Sequence, residues 1–413
     1  METWTKAQAL KAFEEFVSPG KLKTYQMLGM EIVPARREGS RLWDKDGKSY
    51  INCRSSGGVF NLGHRPPEIL AALTRALETL DLGDHLLLSE WRARLAKRLA
   101  ELTPGDIQYT TFGVGGGEAV DLAIKLARGY TRRPGIISAI GGYHGHTGFA
   151  LATGEDSFKE YFGPLAPGFS QVPFGDLEAL EEAVTEETAA VIFETIPATL
   201  GIVIPPDDYF PAVRKICDAQ GAVLIIDEVQ AGLGRTGRFW AIDEYQVAPD
   251  ILVLGKGLSG ALYPMSATCY RPRLQSFFDQ HPFVHVSTYG GSELGCAVTL
   301  AVLDRLSSPE LLGHVNTMAE IFAKGLIRLQ LNHPRLLIEV RQKGLMIGLK
   351  MCEDRLGILL TSQLAQNGVI AMFAHNDPSV MIIMPPLIVT AEEVEEVLAA
   401  LAKSFQALEG FLR

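Results

Sequence analysis

No stretch of this 413-residue chain runs uninterrupted through the roughly 18 apolar residues that a bilayer-spanning helix needs. Nor do its first residues, METWTKAQALKAFEEF, resemble a secretion signal, because acids sit inside an amphipathic pattern where a basic start and an apolar core would be required. Cysteine is scarce. Cys53, Cys217, Cys269, Cys296 and Cys352 are scattered, odd in number and never spaced as CxxC, which excludes a disulfide framework and reads as reduced thiols of a cytoplasmic, soluble protein. Basic clusters are missing as well: 38 Lys and Arg face 48 Asp and Glu, for a net charge of −10, so nucleic acid is not the expected partner. No internal repeat or low-complexity linker interrupts the chain, and no metal site is expected.

What is present is ordinary globular material, 47% hydrophobic and 21% charged, with enough apolar surface for a large core. At about 100 to 200 residues per domain the length suggests two or three units. Apolar residues recur at helical spacing through ILAALTRALETL and WRARLAKRLAEL between Pro67 and Leu102, ending at Thr103-Pro104-Gly105. Short apolar runs at 135–140, 189–196, 222–226 and 250–254 then alternate with helical patterns, as buried strands of a largely parallel sheet do. Residues 300–331 read as helical with a break at Ser307-Ser308-Pro309, short strands are expected at 336–340 and 345–350, and residues 391–412 close the chain as a helix. RLWDKDGKSYIN reads as a hairpin turning at Asp46-Gly47. The expected organisation is an N-terminal segment (1–60) packed with a small C-terminal α+β domain (306–413), around a large α/β domain (61–305).

Four features carry chemistry. Gly113-Val-Gly-Gly-Gly-Glu118 leads straight into the helical run EAVDLAIKLAR. Amide groups at such a helix start can hold a phosphate, and glycine lets the backbone come close to it. A plain turn explains the same residues equally well, but a nucleotide loop does not, since the terminal Gly-Lys-Ser/Thr is missing and Glu118 stands where a dinucleotide fingerprint wants glycine. Gly142-Tyr143-His144-Gly145 follows a strand, and Tyr143 could stack on a flat heteroaromatic ring, although local packing accounts for an isolated Tyr and His. AVLIIDEVQAGLGRTG, residues 222–237, is a buried strand ending in two carboxylates. A buried acid needs a partner; a pyridinium nitrogen would supply one, whereas a metal site of the Walker-B kind would require a P-loop. DILVLGKGL delivers Lys256 between two glycines at a strand end, where a lysine is usually just solvated. Together a phosphate cradle, a stacking ring, an acid and a flanked lysine are the parts of a Schiff-base pyridoxal 5'-phosphate site.

At this point the chain resembles the class III aminotransferases, a fold-type I family that includes ornithine, acetylornithine and 4-aminobutyrate aminotransferases and glutamate-1-semialdehyde aminomutase. DEVQAGLGRTG (227–237), LGKGL around Lys256 and STYGGSELGC (287–296) carry the likeness, in the same order and over nearly the whole chain. The resemblance implies an α/β fold of the pyridoxal-phosphate transferase type I, with a mostly parallel sheet in the large domain. It implies that Lys256 forms the Schiff base with the cofactor, Asp227 pairs with the ring nitrogen, Gln230 lies near the ring hydroxyl, and Tyr143, followed by His144, covers the ring. Gly115, Gly116 and Gly117 match the phosphate loop, with Gly115 where relatives often have Ser. Thr288 would reach the phosphate of a neighbouring subunit in a homodimer, and Glu194 would support the Asp227 region.

Two departures bear on the substrate. Relatives that use 2-oxoglutarate commonly have an arginine three residues before Pro385-Pro386-Leu387, where this chain has Ile382, and many carry a gating glutamate where this chain has Thr199. Losing both is coherent, because a buried glutamate without its arginine is costly to keep. With Leu200 also apolar, a less acidic substrate is expected. The expected reaction is transfer of an amino group from an amine or amino acid to a carbonyl acceptor. Racemisation, epimerisation or amino migration on the same fold is the rival, and a silent cofactor-binding regulator is disfavoured because no helix-turn-helix module precedes the enzyme-like region.

Overall fold

The centre of the molecule is a seven-stranded sheet in the order Tyr109–Gly113, Ser266–Tyr270, Ile251–Leu254, Val223–Asp227, Thr188–Glu194, Gly135–Ala139 and Phe169–Val172, as seen in a computed structural model that describes residues 3–410. Only Ser266–Tyr270 runs antiparallel to its neighbours, and the remaining pairings are parallel. The middle strands are buried along their whole length because both faces are covered, which is why their sequences are continuous β-branched and leucine runs without polar alternation. Val223, Ile225 and Val253 point to one face, where the helix Gly116–Thr131 packs Val120, Ile124 and Ala127 on them. Leu224, Ile226, Leu252 and Leu254 point to the other face and join the main core. Register places Glu194 beside Asp227, and Asp227 beside Val253, so two carboxylates arrive together at one end of the sheet.

The C-terminal region adds a four-stranded antiparallel sheet in the order Leu337–Lys343, Met346–Met351, Val380–Ile383 and Met372–Phe373, against which the helices Pro309–Asn332, Asp354–Gln366 and Ala391–Glu409 pack. Residue 412, at the end of the expected closing helix, lies outside the described residues. The break before Pro309 has a local cause: the Ser308 hydroxyl accepts from the Leu311 N–H, and proline sits at the first helical position where its missing N–H costs nothing. The N-terminal hairpin pairs Arg41–Asp44 with Ser49–Asn52 across Asp46-Gly47, where Gly47 takes φ +84° and one Asp44 carboxylate oxygen accepts from the amides of Asp46 and Lys48. Ser49–Asn52 then pairs in parallel with Val369–Ile370, so backbone bonds tie the chain's beginning to its end.

Some boundaries differ from the sequence pattern. The helix that opens at Pro67 stops at Ala76 instead of continuing through Leu80, and the strand expected to reach Ile196 ends at Glu194, where the Thr195 hydroxyl turns to the Glu228 carboxylate. Arg235 joins the parts. Fully buried, it donates to the carbonyls of Leu345 (3.0 Å) and Pro385 (2.5 Å) and to Asn61 Oδ1 (2.7 Å), and desolvation lowers its pKa to about 9. No helix among the described residues is long and apolar enough to cross a membrane.

Packing between the helix Asp354–Gln366 and the segment after Phe373 leaves no room at Gly357, where an added Cβ would lie 2.0 Å from the Pro378 carbonyl oxygen. Backbone cannot step aside as a side chain can. Gly357→Ala is expected to cost about 1–3 kcal/mol of stability. The shift should be read from the denaturant midpoint at unchanged slope.

Candidate active site

The glycine-rich loop is built from the end of one strand and the start of one helix. Tyr109–Gly113 stops, Gly115 takes an extended conformation as the residue before the helix, and Gly116 and Gly117 form the first turn. Amides in that turn have no partner within the helix and face outward with the positive end of its dipole. A Cβ at Gly117 would come within 2.8 Å of Thr147 Oγ1, so a side chain there would force a shift, and one at Gly116 would press on Val229 at 3.2 Å. Glu118 closes the loop on the other side by accepting from the Val114 N–H (2.7 Å).

Asp227 ends the central strand with its carboxylate buried. Oδ2 lies 2.8 Å from His144 Nδ1, and Oδ1 accepts from the Val229 N–H at 2.9 Å. This contact assigns the Nδ1–H tautomer to His144. Burial works against an imidazolium there, but the hydrogen bond and charge of Asp227 outweigh it, and the His144 pKa lies above its ordinary value. Tyr143 is half-buried; its backbone N–H donates to Glu194 Oε2 (3.1 Å), and its ring meets His146 and Phe158 edge-on. Desolvation raises Glu194 to about 7. Glu228, the second acid of the strand end, faces the other way: it accepts from the amides of Ala241 and Ile242 (2.9 Å each) and from Thr195, and burial raises it to about 7 too. Its work is structural.

Lys256 follows the neighbouring strand with φ +43°, a sparsely populated conformation for a residue with a side chain. Its Nζ donates to Gln230 Oε1 at 3.0 Å. Burial lowers the pKa of this amine, aided by the positive charge of Arg54, and together they outweigh the opposing charges of Asp227 and Glu194. One cavity is lined by Gly116, Gly117, Tyr143, His144, Glu194, Asp227, Gln230 and Lys256, residues drawn from five separate stretches of chain. Two anticipated residues are elsewhere. Gly115 faces an adjoining cleft, and Thr288 is exposed on the segment 281–292, outside this cavity.

Sequence reasoning missed the N-terminal contribution. Ser55, Ser56, Gly57 and Gly58 all have positive φ, and a Cβ at Gly57 would stand 3.3 Å from Gln230 Nε2 and 3.5 Å from Lys256 Nζ. The Ser-Ser-Gly-Gly cluster is legible as a turn. Nothing in it points to Lys256, some two hundred residues away in sequence. Met384 was missed as well, although its sulfur receives the Gln230 amide at 3.6 Å.

The donor set fits pyridoxal phosphate: paired glycine amides for a dianion, a fixed carboxylate for a ring nitrogen, an aromatic face, and a primary amine of depressed pKa for an aldehyde. The comparisons agree. The family model "Aminotransferase class-III" matches residues 24–405. An uncharacterized aminotransferase of Archaeoglobus fulgidus is 54% identical over 401 residues, covering 97% of this chain and 94% of that protein. A putrescine aminotransferase of Pectobacterium atrosepticum is 36% identical over 98% of this chain and 89% of its own length. The ornithine aminotransferase of Toxoplasma gondii, solved with partial occupancy of pyridoxal phosphate at its active site, superposes with a TM-score of 0.87 at 29% identity, covering 92% of this chain and 91% of that one.

Raised from 4.5 to about 7, Glu194 and Glu228 keep protons in the folded chain that the unfolded chain has already released. Between those two values the unfolded state binds fewer protons, so the contribution of these two acids to the stability of the cofactor-free protein falls as pH rises and levels off above about 7. Glu194→Gln should remove about 2–4 kcal/mol of that fall. Unfolding free energies at pH 5 and pH 8 measure it; equal differences for wild type and variant would refute the protonation assigned to Glu194.

Proposed function

The chain belongs to the class-III aminotransferase family, whose members use pyridoxal phosphate, and from that premise we propose which of its residues perform the transfer, on which substrates and in what assembly. The observation that carries the reading is the convergence of Lys256, Asp227 and the glycine amides on one cavity. Bound pyridoxal phosphate supplies an aldehyde that condenses with amines and a ring that accepts the electrons left when the amine-bearing carbon loses a proton. Lys256 is the amine that anchors the cofactor. Once displaced by substrate, its Nζ takes that proton and delivers it again, a role suited to an amine whose pKa desolvation lowers. Asp227, oriented by His144 and the Val229 amide, holds a proton on the ring nitrogen. Gln230 orients Nζ, Tyr143 excludes water from one ring face, and Gly116 and Gly117 bind the phosphate. The relatives named are aminotransferases, which favours group transfer over isomerisation.

The substrate reading rests on what replaces the carboxylate switch. Ile382 packs beside an apolar cluster that contains Ile196, Ile202, Met346 and Met384, and Thr199 donates its hydroxyl to the Gly141 carbonyl at 3.1 Å. Neither offers a charge to a distal carboxylate. The donor is therefore a terminal primary amine, in keeping with the relative named for putrescine, and the acceptor carries a single carboxylate, as pyruvate does.

The assembly is a homodimer in the cytoplasm. Phe283, Val284, Val286 and Tyr289 are exposed on the same segment as Thr288, and an open cleft lined by Val114, Gly115, Ser259 and Tyr263 adjoins Gly116 and Lys256. A second copy that covers the apolar residues would bring the partner subunit's Thr288 to the phosphate end of the site.

Lys256→Ala should eliminate the visible absorbance of covalently held cofactor together with turnover; full activity in that variant would end the proposal. With putrescine as donor, pyruvate should exceed 2-oxoglutarate in kcat/KM by at least about tenfold. A preference for 2-oxoglutarate would overturn the acceptor assignment and leave the reaction class standing. Thr288→Ala should weaken cofactor retention about tenfold while light scattering still gives a dimer.

A further inference from the structure

The loop that carries Tyr143 and His144 is held at its root by the C-terminal region. Gly141 starts it with φ +75°, a conformation that strains any residue with a side chain, and a Cβ there would also displace Leu200, whose Cδ2 would lie 2.3 Å away. Its carbonyl accepts two side-chain hydrogen bonds, from Thr199 Oγ1 at 3.1 Å and from Asn376 Nδ2 at 2.7 Å. Asn376 also donates its backbone N–H to the Thr199 carbonyl at 3.0 Å, so it bridges the two strand-end loops that flank Tyr143. The residue before it adds a second arm: His375 stacks on Phe158 at 4.6 Å, and Phe158 meets the Tyr143 ring at 5.6 Å.

The segment that presents these two residues is tied to its neighbours by hydrogen bonds. Ala374 N–H donates to the Val380 carbonyl at 2.7 Å, Val380 N–H returns to Asp377 at 2.9 Å, and Asp377 is clamped by Lys350 Nζ at 2.7 and 3.0 Å from the adjoining strand. Tyr143 and His144 have their other anchors, Glu194 and Asp227, on the central sheet. One loop thus answers to two bodies of the molecule, the central sheet and the small sheet, and the ring at its tip takes its place from both.

We propose that Asn376 is a positioning residue for the reaction: by bridging Gly141 and Thr199 it sets the Tyr143 ring over the cofactor, with the His375–Phe158 stack as a second contact to the same ring. This rests on the reading that Tyr143 covers the cofactor. It assigns Thr199 a use other than a gate, since its hydroxyl and the Asn376 amide share one carbonyl. A misplaced ring no longer matches the reacting geometry, and small misplacements weigh heavily on the chemical step.

The test uses the full-length holoenzyme and Asn376→Leu, which keeps the bulk and removes the donor. The expected result is a weaker circular dichroism band per bound cofactor, pyridoxal phosphate affinity reduced about tenfold, and kcat reduced about tenfold with KM for the amine within about threefold. Adding Thr199→Val should change these values by less than the sum of the single effects, because both donors serve one acceptor. A merely structural residue would lower Tm and leave the band per bound cofactor and the cofactor affinity untouched, and that outcome overturns the proposal. Should Asn376→Leu not fold, His375→Ala, at an exposed position, reads the same coupling; an unchanged band there would sink the idea equally. A wild-type protein that takes up no pyridoxal phosphate would instead defeat the functional reading, whereas normal wild-type uptake with an unaffected Asn376→Leu defeats this inference alone.

Discussion

A carboxylate at the dry end of a covered parallel sheet must be met by donors, and the surroundings of Asp227 are arranged to do so. Left unpaired in a low-dielectric site it would be strongly destabilising. His144 and the Val229 amide meet it from within the protein, and their geometry leaves the carboxylate fixed in direction. That fixed charge raises the pKa of His144 and opposes the desolvation of Lys256. The same burial that makes the acid costly weakens the hold of the Lys256 amine on its proton, so one environment acts on both groups.

The register of three parallel strands does most of the spatial work. Because Thr188–Glu194, Val223–Asp227 and Ile251–Leu254 run side by side in the same direction, whatever follows each of them emerges at one edge. Glu194 reaches back to the Tyr143 loop, Asp227 and Gln230 come from the middle strand, and Lys256 comes from the third. The glycine amides at the start of Gly116–Thr131 complete the crevice that such sheets form at the carboxyl ends of their strands. Around this edge the N-terminal Ser55–Gly58 turn, the buried Arg235 and Asn376 connect the sheet to the two ends of the chain. The site is therefore neither a property of the large sheet alone nor separable from the strands that close the chain.

Much of this was legible in the linear pattern. The buried strands showed as apolar runs because both faces of the sheet are covered, and the break before Pro309 showed because a capping serine and a helix-starting proline act locally. Local causes leave local marks. The hairpin turn at Asp46-Gly47 is another example, since Asp44 and Gly47 make it with their own neighbours. Less visible were Arg54 and Gly57 beside Lys256, the fate of Glu228, and the donors on the Gly141 carbonyl, all of which depend on residues distant in sequence.

By itself the sequence determined the class of fold and the chemical parts: alternation of apolar runs and helical periods, a glycine-rich helix start, an acid at a strand tip and a lysine between glycines. These depend on hydrogen bonds and steric limits that reach only a few residues along the chain. Which of two adjacent acids faces the cavity, how far the pKa of an amine is lowered, and which residue of the C-terminal segment holds the Tyr143 loop were decided only by the tertiary structure. Burial, desolvation and contacts between distant segments set those quantities, and they exist only once the chain has closed on itself.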